Sequence, residues 1–513
     1  MWKLFKKLWK VISSRYFLCS ILIIIELVML FLIEKYLIEW SIVFQIFSYL
    51  VSLVTFIYLI NMDMSVEGKL PWIVIILLIQ PFGALLFLMF GIRLITKREK
   101  KFFKNLISSY SELLCVEEST LNKLKEEDYP AYQKAFSLSH DTSSSLYQNT
   151  TCEYFSTGEA FYQNLLASLK EANNYIFMEY FIIAEGKMWD SILDILLEKV
   201  KSGVEVRFMY DDIGSLFNVH GDYFKKLEKL GIKSQCFAKY TGKANSSHNN
   251  RNHRKITVID GKVAFTGGIN LADEYINEIK RFGYWKDSAI KLKGEAVKEM
   301  VKIFLYDWDL NKGEITSWIN YLKLDEKEKT DGYFLPFGTG PKPLYPANIA
   351  KNMYLNLINQ ASKYIYITTP YLIIDKELTQ SLINASKRKV DVKIILPHVP
   401  DKKIVYAMTK SSYLTLIKAG VKIYEYEVGF IHAKNFICDD CYAVCGTINF
   451  DYRSLLHHYE NAVWIYKSSV IINMKDDFRR TINSSIIQTE SLAKQNIIVK
   501  LFVRFINIFA PFF

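Results

Sequence analysis

"HRKITVIDGKVAFTGGIN" occupies His253–Asn270, and "HAKNFICDDCYAVCGTIN" occupies His432–Asn449. Both stretches place His, Lys, Asp, Gly and Asn at identical offsets, while most of the residues between them differ. A lone His-x-Lys arises often by chance. Five polar or special residue types repeated at one spacing are a motif that needs a physical reason.

Reading upstream extends the repeat. "ANNYIFMEYFII" (Ala172–Ile183) and "ASKYIYITTPYLII" (Ala361–Ile374) are apolar, β-branched and aromatic runs of the kind that form buried strands. Each precedes a helical pattern, "SILDILLEKVKSG" from Ser191 or "LTQSLINASKRKV" from Leu378. A second strand follows, "VEVRFMYDD" from Val204 or "VDVKIILP" from Val390. A further helix and strand then lead into each His motif, through "KKLEKLGIKS" and "LIKAGVKIYEYE". The chain is therefore an internally duplicated α/β unit.

Within each copy the motif reads as a hairpin. Asp260-Gly261 is a strong two-residue turn signal, and Asp439-Asp440 is its weaker twin. On a strand, residues two apart share a face, so His253 lies beside Lys255 and His432 beside Lys434. The return strands bring Asn270 and Asn449 back toward the same end. Two imidazoles, two ammonium groups and two carboxamides facing one another across a pseudo-twofold make a pocket for a phosphodiester. The lysines would neutralise its non-bridging oxygens and the amides would donate to them. One imidazole would attack phosphorus while the other protonates the leaving alkoxide and later deprotonates an incoming alcohol. This chemistry calls for no cofactor and no metal, and the carboxylate clusters of a two-metal phosphodiesterase are missing from the sequence.

Each imidazole needs a carboxylate on its second nitrogen. In the second copy Glu460, in "HYENAVWIY", follows His432 by 28 residues. In the first copy Asp287, in "WKDSAIKL", takes that place after six extra residues. This reading pairs each acid with the histidine of its own copy. Asp260 and Asp439 sit at turns, where a structural role competes with direct chemistry. Arg453 either grips a second lipid phosphate or pairs with Glu460, and Asp211-Asp212 either shape an acceptor site or cap a helix.

Half of the 513 residues are hydrophobic and 15% are aromatic. Three apolar runs open the chain, Tyr16–Ile33, Trp40–Ile60 and Leu70–Gly91, each about the 20 residues that cross a bilayer. Glu26 interrupts the first, which is read as interfacial together with the basic amphipathic "WKLFKKLWK" from Trp2; the other two are read as crossings. Of the net charge of +11, residues 1–15 carry +5, residues 93–104 another +5, and residues 105–490 only +1. Positive charge thus flanks the apolar runs, as attraction to anionic lipid requires, and the nearly neutral remainder argues against a nucleic-acid partner. Seven irregularly spaced cysteines suit a reducing cytoplasm, and Cys438, Cys441 and Cys445 lack the partners of a closed zinc site.

The duplicated HxKxxxxD with trailing GGxN or GTxN resembles the phospholipase D superfamily. The phrases "NMDMSVEGKLPWIVIILLIQPFGALLFLMFG" from Asn61, "MEYFII" from Met178, "RFMYDDIGS" from Arg207 and "NFDYRSLLHHYENAV" from Asn449 are similar to those of bacterial cardiolipin synthases. The resemblance implies two phospholipase D-like α/β repeats related by a pseudo-twofold, preceded by N-terminal transmembrane helices. It also implies condensation of two phosphatidylglycerol molecules into cardiolipin with release of glycerol, at an anionic lipid membrane. His253, Lys255, Asp260, His432, Lys434 and Asp439 would be its catalytic residues, with His253 favoured as nucleophile. The sequence alone is symmetric on that choice. The expected organisation is a membrane region (1–92), a basic helical connector (93–150), the two repeats (151–320 and 321–490) and an amphipathic tail (491–513).

Overall fold

The computed structural model describes residues 24, 25, 28, 32, 38–92, 97–110, 116–239, 250–322 and 328–512. The basic nonamer from Trp2 and most of the run Tyr16–Ile33 lie outside them. The chain divides into two compact units, one holding residues up to Ile92 and from Arg504 onward, the other Lys97–Lys239 and Asn250–Val503.

In the first unit, a helix spans Ile38–Asn61, and its stretch Ile42–Asn61 has a mean hydropathy of 2.1 over 20 residues. At 1.5 Å per residue that is about 30 Å, the thickness of a hydrocarbon core. Its apolar side chains, including Ile46, Phe47, Leu50 and Val54, are exposed. The run 70–91, expected to be a second crossing, is not one continuous helix. A helix over Val66–Leu78 ends before Pro81, a short helix follows at Phe82–Leu86, and a π turn closes it at Phe87–Gly91. Proline has no N–H to continue the ladder and crowds the carbonyl one turn back. Gly83 then packs directly on the carbonyl of Ile75, a contact that a continuous helix forbids at that spacing and that leaves no room for a Cβ. Thirteen residues of helix reach only about 20 Å. Among the described residues, one helix is long and apolar enough to cross a membrane. Leu59, Trp72, Ile76, Leu86 and Phe87 form this unit's small core, and Phe512 packs at a tilt against Trp72 with ring centroids 5.0 Å apart.

The second unit carries the duplication. Its first sheet is built from β1 (Thr150–Phe155), β2 (Tyr175–Tyr180), β3 (Glu205–Asp211), β4 (Lys233–Phe237), β5 (Lys255–Ile259), β6 (Val263–Gly267) and β8 (Ala289–Gly294); β7 (Tyr284–Lys286) stands apart. The order is β1-β8-β6-β5-β2-β3-β4. The second sheet uses β9 (Tyr333–Thr339), β10 (Tyr364–Thr368), β12 (Asp391–Pro397), β13 (Lys422–Tyr426), β15 (Asn435–Cys438), β16 (Tyr442–Gly446), β18 (Glu460–Tyr466) and β19 (Ser485–Ile487). Its order, β9-β18-β16-β15-β10-β12-β13-β19, repeats the first strand for strand and adds β19. Within each, the βαβ strands β2-β3-β4 and β10-β12-β13 are parallel and the others antiparallel. Two short parallel pairs complete the set: β11 (Leu372–Ile373) with β17 (Phe450–Asp451), and β14 (Gly429–Ile431) with β7.

All residues of β2 and β10 are buried, because helices cover one face of each sheet and the other faces meet in a shared interior. That interior contains Phe177, Ile256 and Val258 from one half and Ile437, Val463 and Ile465 from the other, with helices Val297–Lys312 and Val470–Asn483. Residues expected to be a connector also join the packing. Leu121, Leu124, Ala131, Ala135 and Leu138, on helices Glu118–Glu127 and Tyr129–Thr142, enter the core of the second half.

Candidate active site

The seam between the halves is a backbone pairing. β14 runs parallel to β7 with Ile431 opposite Lys286, and an isolated parallel bridge joins Asn252 to Tyr459. The next residue along each of these four segments is a motif histidine or an acid. His432 N–H donates to the Lys286 carbonyl at 2.7 Å, and His253 N–H donates to the Tyr459 carbonyl at 2.9 Å. The side chains follow this register. His253 Nδ1 lies 2.9 Å from both carboxylate oxygens of Glu460, and His432 Nδ1 lies 2.7 Å from Asp287 Oδ2. Each acid therefore serves the histidine of the opposite copy, which corrects the in-copy pairing expected from sequence. The cause is that the strands adjacent at the seam come from different halves, so the unequal loop lengths within each half do not matter.

Gly268 and Thr447, equivalent residues of the two motifs, fit the two acids differently. A Cβ on Gly268 would collide with Asp287 Oδ1 and the His432 carbonyl, so only glycine leaves the shorter acid its place. Thr447 Oγ1 instead donates to Glu460 Oε2. Asp287 Oδ1 accepts from the Ser288 N–H at 2.8 Å. Both carboxylates are fully buried.

Lys255 Nζ donates to the His253 carbonyl at 2.7 Å, and Lys434 Nζ donates to the His432 carbonyl. Each ammonium group is thereby curled beside its own imidazole. Burial lowers the Lys255 ammonium to about 7, against the raising influence of Glu460, and lowers Lys434 to about 8, against Asp287. Burial, then the two lysines, hold His253 well below the ordinary imidazole range. Burial and Lys434 bring His432 to about 4, although Asp287 pulls the other way. Burial opposes ionisation of Asp287, yet the fields of His432 and Lys434 keep it below the usual carboxylate range. The two buried ammonium groups and the two buried carboxylates balance one another while both imidazoles stay neutral, and burial is the largest cause of the shift at each lysine and each histidine.

Other expected site residues have different duties. Asn270 Oδ1 accepts from Ile182 N–H at 2.9 Å and its Nδ2 donates to Tyr275 Oη at 2.7 Å, which ties the end of β2 to the turn at Asp273–Ile276. Asn449 is buried, and its Oδ1 has no hydrogen-bond partner. Asp260 and Asp439, assigned to catalysis from the motif, lie at the far ends of their strands, about 17 Å along the strand from the motif lysines. Asp260 accepts from the N–H groups of Asn173, Asn174 and Tyr175 at 2.7–2.8 Å. Asp439 accepts from those of Ser362, Lys363 and Tyr364 at 2.7–2.9 Å. Both carboxylates pin the start of the adjacent strand, β2 or β10, and the turn residues Asp260, Gly261, Asp439 and Asp440 all have positive φ. Asp211 caps the turn at Gly214, and its carboxylate binds Arg251 at 2.8 Å and the Asn252 N–H at 3.0 Å, just ahead of His253.

One residue escaped the reading of the repeats. His458, two before Glu460, lies with its ring centroid 5.6 Å from that of His253. The equivalent residue two before Asp287 is Trp285, 5.5 Å from His432. The two copies differ at this position, so the internal symmetry does not mark it. Burial brings the His458 imidazole down to about 3, with Glu460 acting to raise it.

Comparison with known proteins agrees with this architecture. The sequence matches the family described as "Cardiolipin synthase, PLD-like domain" over residues 165–308 and 354–482, and "Phospholipase_D-nuclease N-terminal" over residues 50–91. It is 43% identical over 458 residues to an uncharacterized protein of Streptococcus mutans serotype c, covering 89% of this chain and 98% of that one. It is 33% identical over 414 residues to a cardiolipin synthase of Halalkalibacterium halodurans, covering 80% and 81%. A phosphatidylserine synthase structure from Haemophilus influenzae superposes with a TM-score of 0.54 at 14% identity, over 69% of this chain and 92% of that one, a likeness of fold. With its two sheet-bearing repeats and these relatives, the chain belongs to the bacterial cardiolipin synthase family of the phospholipase D superfamily and is a phosphatidyltransferase.

Proposed function

We propose that this chain is a membrane-bound cardiolipin synthase that moves a phosphatidyl group from one phosphatidylglycerol to another and releases glycerol. The observation that carries the reading is the pair of crossed imidazole–carboxylate contacts, His253 with Glu460 and His432 with Asp287, each flanked by a buried lysine.

In the first step the lone pair of His253 Nε2 attacks phosphorus. The bond from phosphorus to the glycerol oxygen breaks, and His432 Nε2 gives that oxygen its proton. In the second step the hydroxyl of another phosphatidylglycerol gives its proton to His432 Nε2 while its oxygen attacks, and the phosphorus–nitrogen bond breaks. Glu460 and Asp287 hold the Nδ1 protons, which keeps each Nε2 aimed at phosphorus and stabilises positive charge as it forms. Lys255 and Lys434 meet the non-bridging oxygens. A bound phosphodiester offsets the field of Lys434, which after burial is the next cause holding His432 down, and so shifts that imidazole toward its protonated form. The assignment of His253 as nucleophile rests on the resemblance to the superfamily.

The basic clusters beside the apolar segments, the helix Ile38–Asn61 and the exposed apolar face of the tail helix Ile497–Asn507 support attachment to an anionic bilayer. Purified protein incubated with vesicles of headgroup-labelled phosphatidylglycerol should yield cardiolipin and free glycerol in equal amounts. Phosphatidic acid as the main product would identify a hydrolase, and cleavage of DNA without lipid turnover would overturn the reading.

A further inference from the structure

His458 has both ring nitrogens buried and neither has a hydrogen-bond partner, although the residue itself is only 9% exposed. A buried imidazole without partners is costly to maintain, so its position needs an account. Its Nδ1 lies 3.5 Å from Glu460 Oε1, wider than a formed hydrogen bond to a carboxylate, while His253 Nδ1 lies 2.9 Å from the same oxygen. One donor atom from each of His253, His458 and Glu460 falls within 4.8 Å of the other two. Bonds of about 2.0–2.1 Å to a tetrahedral zinc ion place neighbouring donors about 3.3 Å apart. The His253–Glu460 and His458–Glu460 spacings of 2.9 and 3.5 Å lie on either side of that value, and the His253–His458 spacing lies within 4.8 Å. In the other half the equivalent position holds Trp285, which cannot ligate, so the feature belongs to one side of the pocket only.

We propose that His253, His458 and Glu460 form an inhibitory site for a nitrogen-seeking dication such as Zn²⁺, a three-ligand set whose fourth position is left to water. The inference rests on the reading of His253 as a reactive imidazole. Inhibition follows from proton bookkeeping. In the working tautomer His253 carries its proton on Nδ1 and presents a lone pair at Nε2. A metal on Nδ1 sends that proton to Nε2, and no bond to phosphorus can then form. It also takes Glu460 away from its orienting contact. Mg²⁺ and Ca²⁺, which prefer oxygen ligands, do not fit a donor set with two imidazoles.

The experiment uses the full-length protein in detergent, stripped with a chelator. Zn²⁺ binding is read without lipid, by competition with a chromophoric chelator, and phosphatidyl transfer is read with and without Zn²⁺ or Mg²⁺. One Zn²⁺ per chain, loss of transfer by Zn²⁺ but not Mg²⁺, and recovery on chelation are expected. His458→Asn should raise the Zn²⁺ concentration needed for both binding and inhibition by roughly tenfold or more. Equal sensitivity of His458→Asn and the parent, or no Zn²⁺ binding by the parent, overturns the site. Should the variant be misfolded by circular dichroism, Co²⁺ added to the parent protein decides. Visible bands of a four-coordinate nitrogen–oxygen site support the proposal, and a six-coordinate spectrum refutes it. Transfer by the metal-free parent tests the proposed function separately, so the two readings fail independently.

Discussion

Replacing Asp287 by Asn tests the crossed pairing at its shortest contact. Asp287 Oδ1 is claimed by the Ser288 N–H at 2.8 Å, so the amide of an asparagine must put its oxygen there and its NH₂ where Oδ2 now meets His432 Nδ1. That NH₂ donates to Nδ1 and forces the imidazole proton onto Nε2, the wrong tautomer for accepting a proton. Loss of a buried, charge-assisted hydrogen bond costs about 1.5–3 kcal/mol, and the wrong tautomer adds to it. A barrier rise of roughly 3–5 kcal/mol slows transfer by about two to four orders of magnitude. The assay that discriminates uses a phosphatidyl ester of p-nitrophenol, whose leaving group departs without a proton. With this substrate the variant should form its covalent intermediate and fail to resolve it. Rapid quenching at alkaline pH, proteolysis and mass spectrometry then locate the phosphatidyl group. The account places it on His253 in Asp287→Asn. In Glu460→Gln any accumulating intermediate should sit on His432. The in-copy pairing predicts the reverse in both variants, whichever histidine attacks in the parent, and that result would refute the crossed seam.

Asp439→Ala removes the acceptor of three backbone N–H groups and the Ser362 hydroxyl at the start of β10. We expect a loss of about 2–3 kcal/mol in denaturant unfolding, with turnover of the folded protein unchanged; a hundredfold drop in kcat at full stability would return this carboxylate to the chemistry. Lys434, lowered to about 8 chiefly by burial, loses its charge as pH rises through that value. Initial-rate measurements should therefore show KM for phosphatidylglycerol rising above about pH 8, and a KM flat to pH 10 would exclude this lysine from holding the phosphate.

The duplication was legible because strands buried on both faces leave continuous apolar runs, and both copies of the motif kept their spacing. Strand alternation was expected to place each motif lysine beside its histidine, but of the four residues only Lys255 lies on a strand; His253, His432 and Lys434 sit in the segments just ahead of β5 and β15, held by the seam. The acids were found and wrongly partnered. His253 and Glu460 are separated by 207 residues and His432 and Asp287 by 145, and only the seam register decides between the pairings. Asp260 and Asp439 share the motif's spacing because both copies need the same clamp on the preceding strand, a reason that spacing cannot distinguish from chemistry. The break in 70–91 carried a signal in Gln80-Pro81-Phe82-Gly83, which hydropathy averaged away. His458 had no twin, so symmetry could not point to it.

The central claim is that His253 and His432 flank a single phosphorus atom. An experimental structure of the protein with vanadate, which takes the five-coordinate geometry of phosphoryl transfer, tests it most directly. We predict one vanadate per chain, bound by Nε2 of one histidine, with Nε2 of the other within about 2.6–3.2 Å of the opposite apical oxygen. A vanadate held by one histidine alone, with the second imidazole in a separate cavity, would contradict the account.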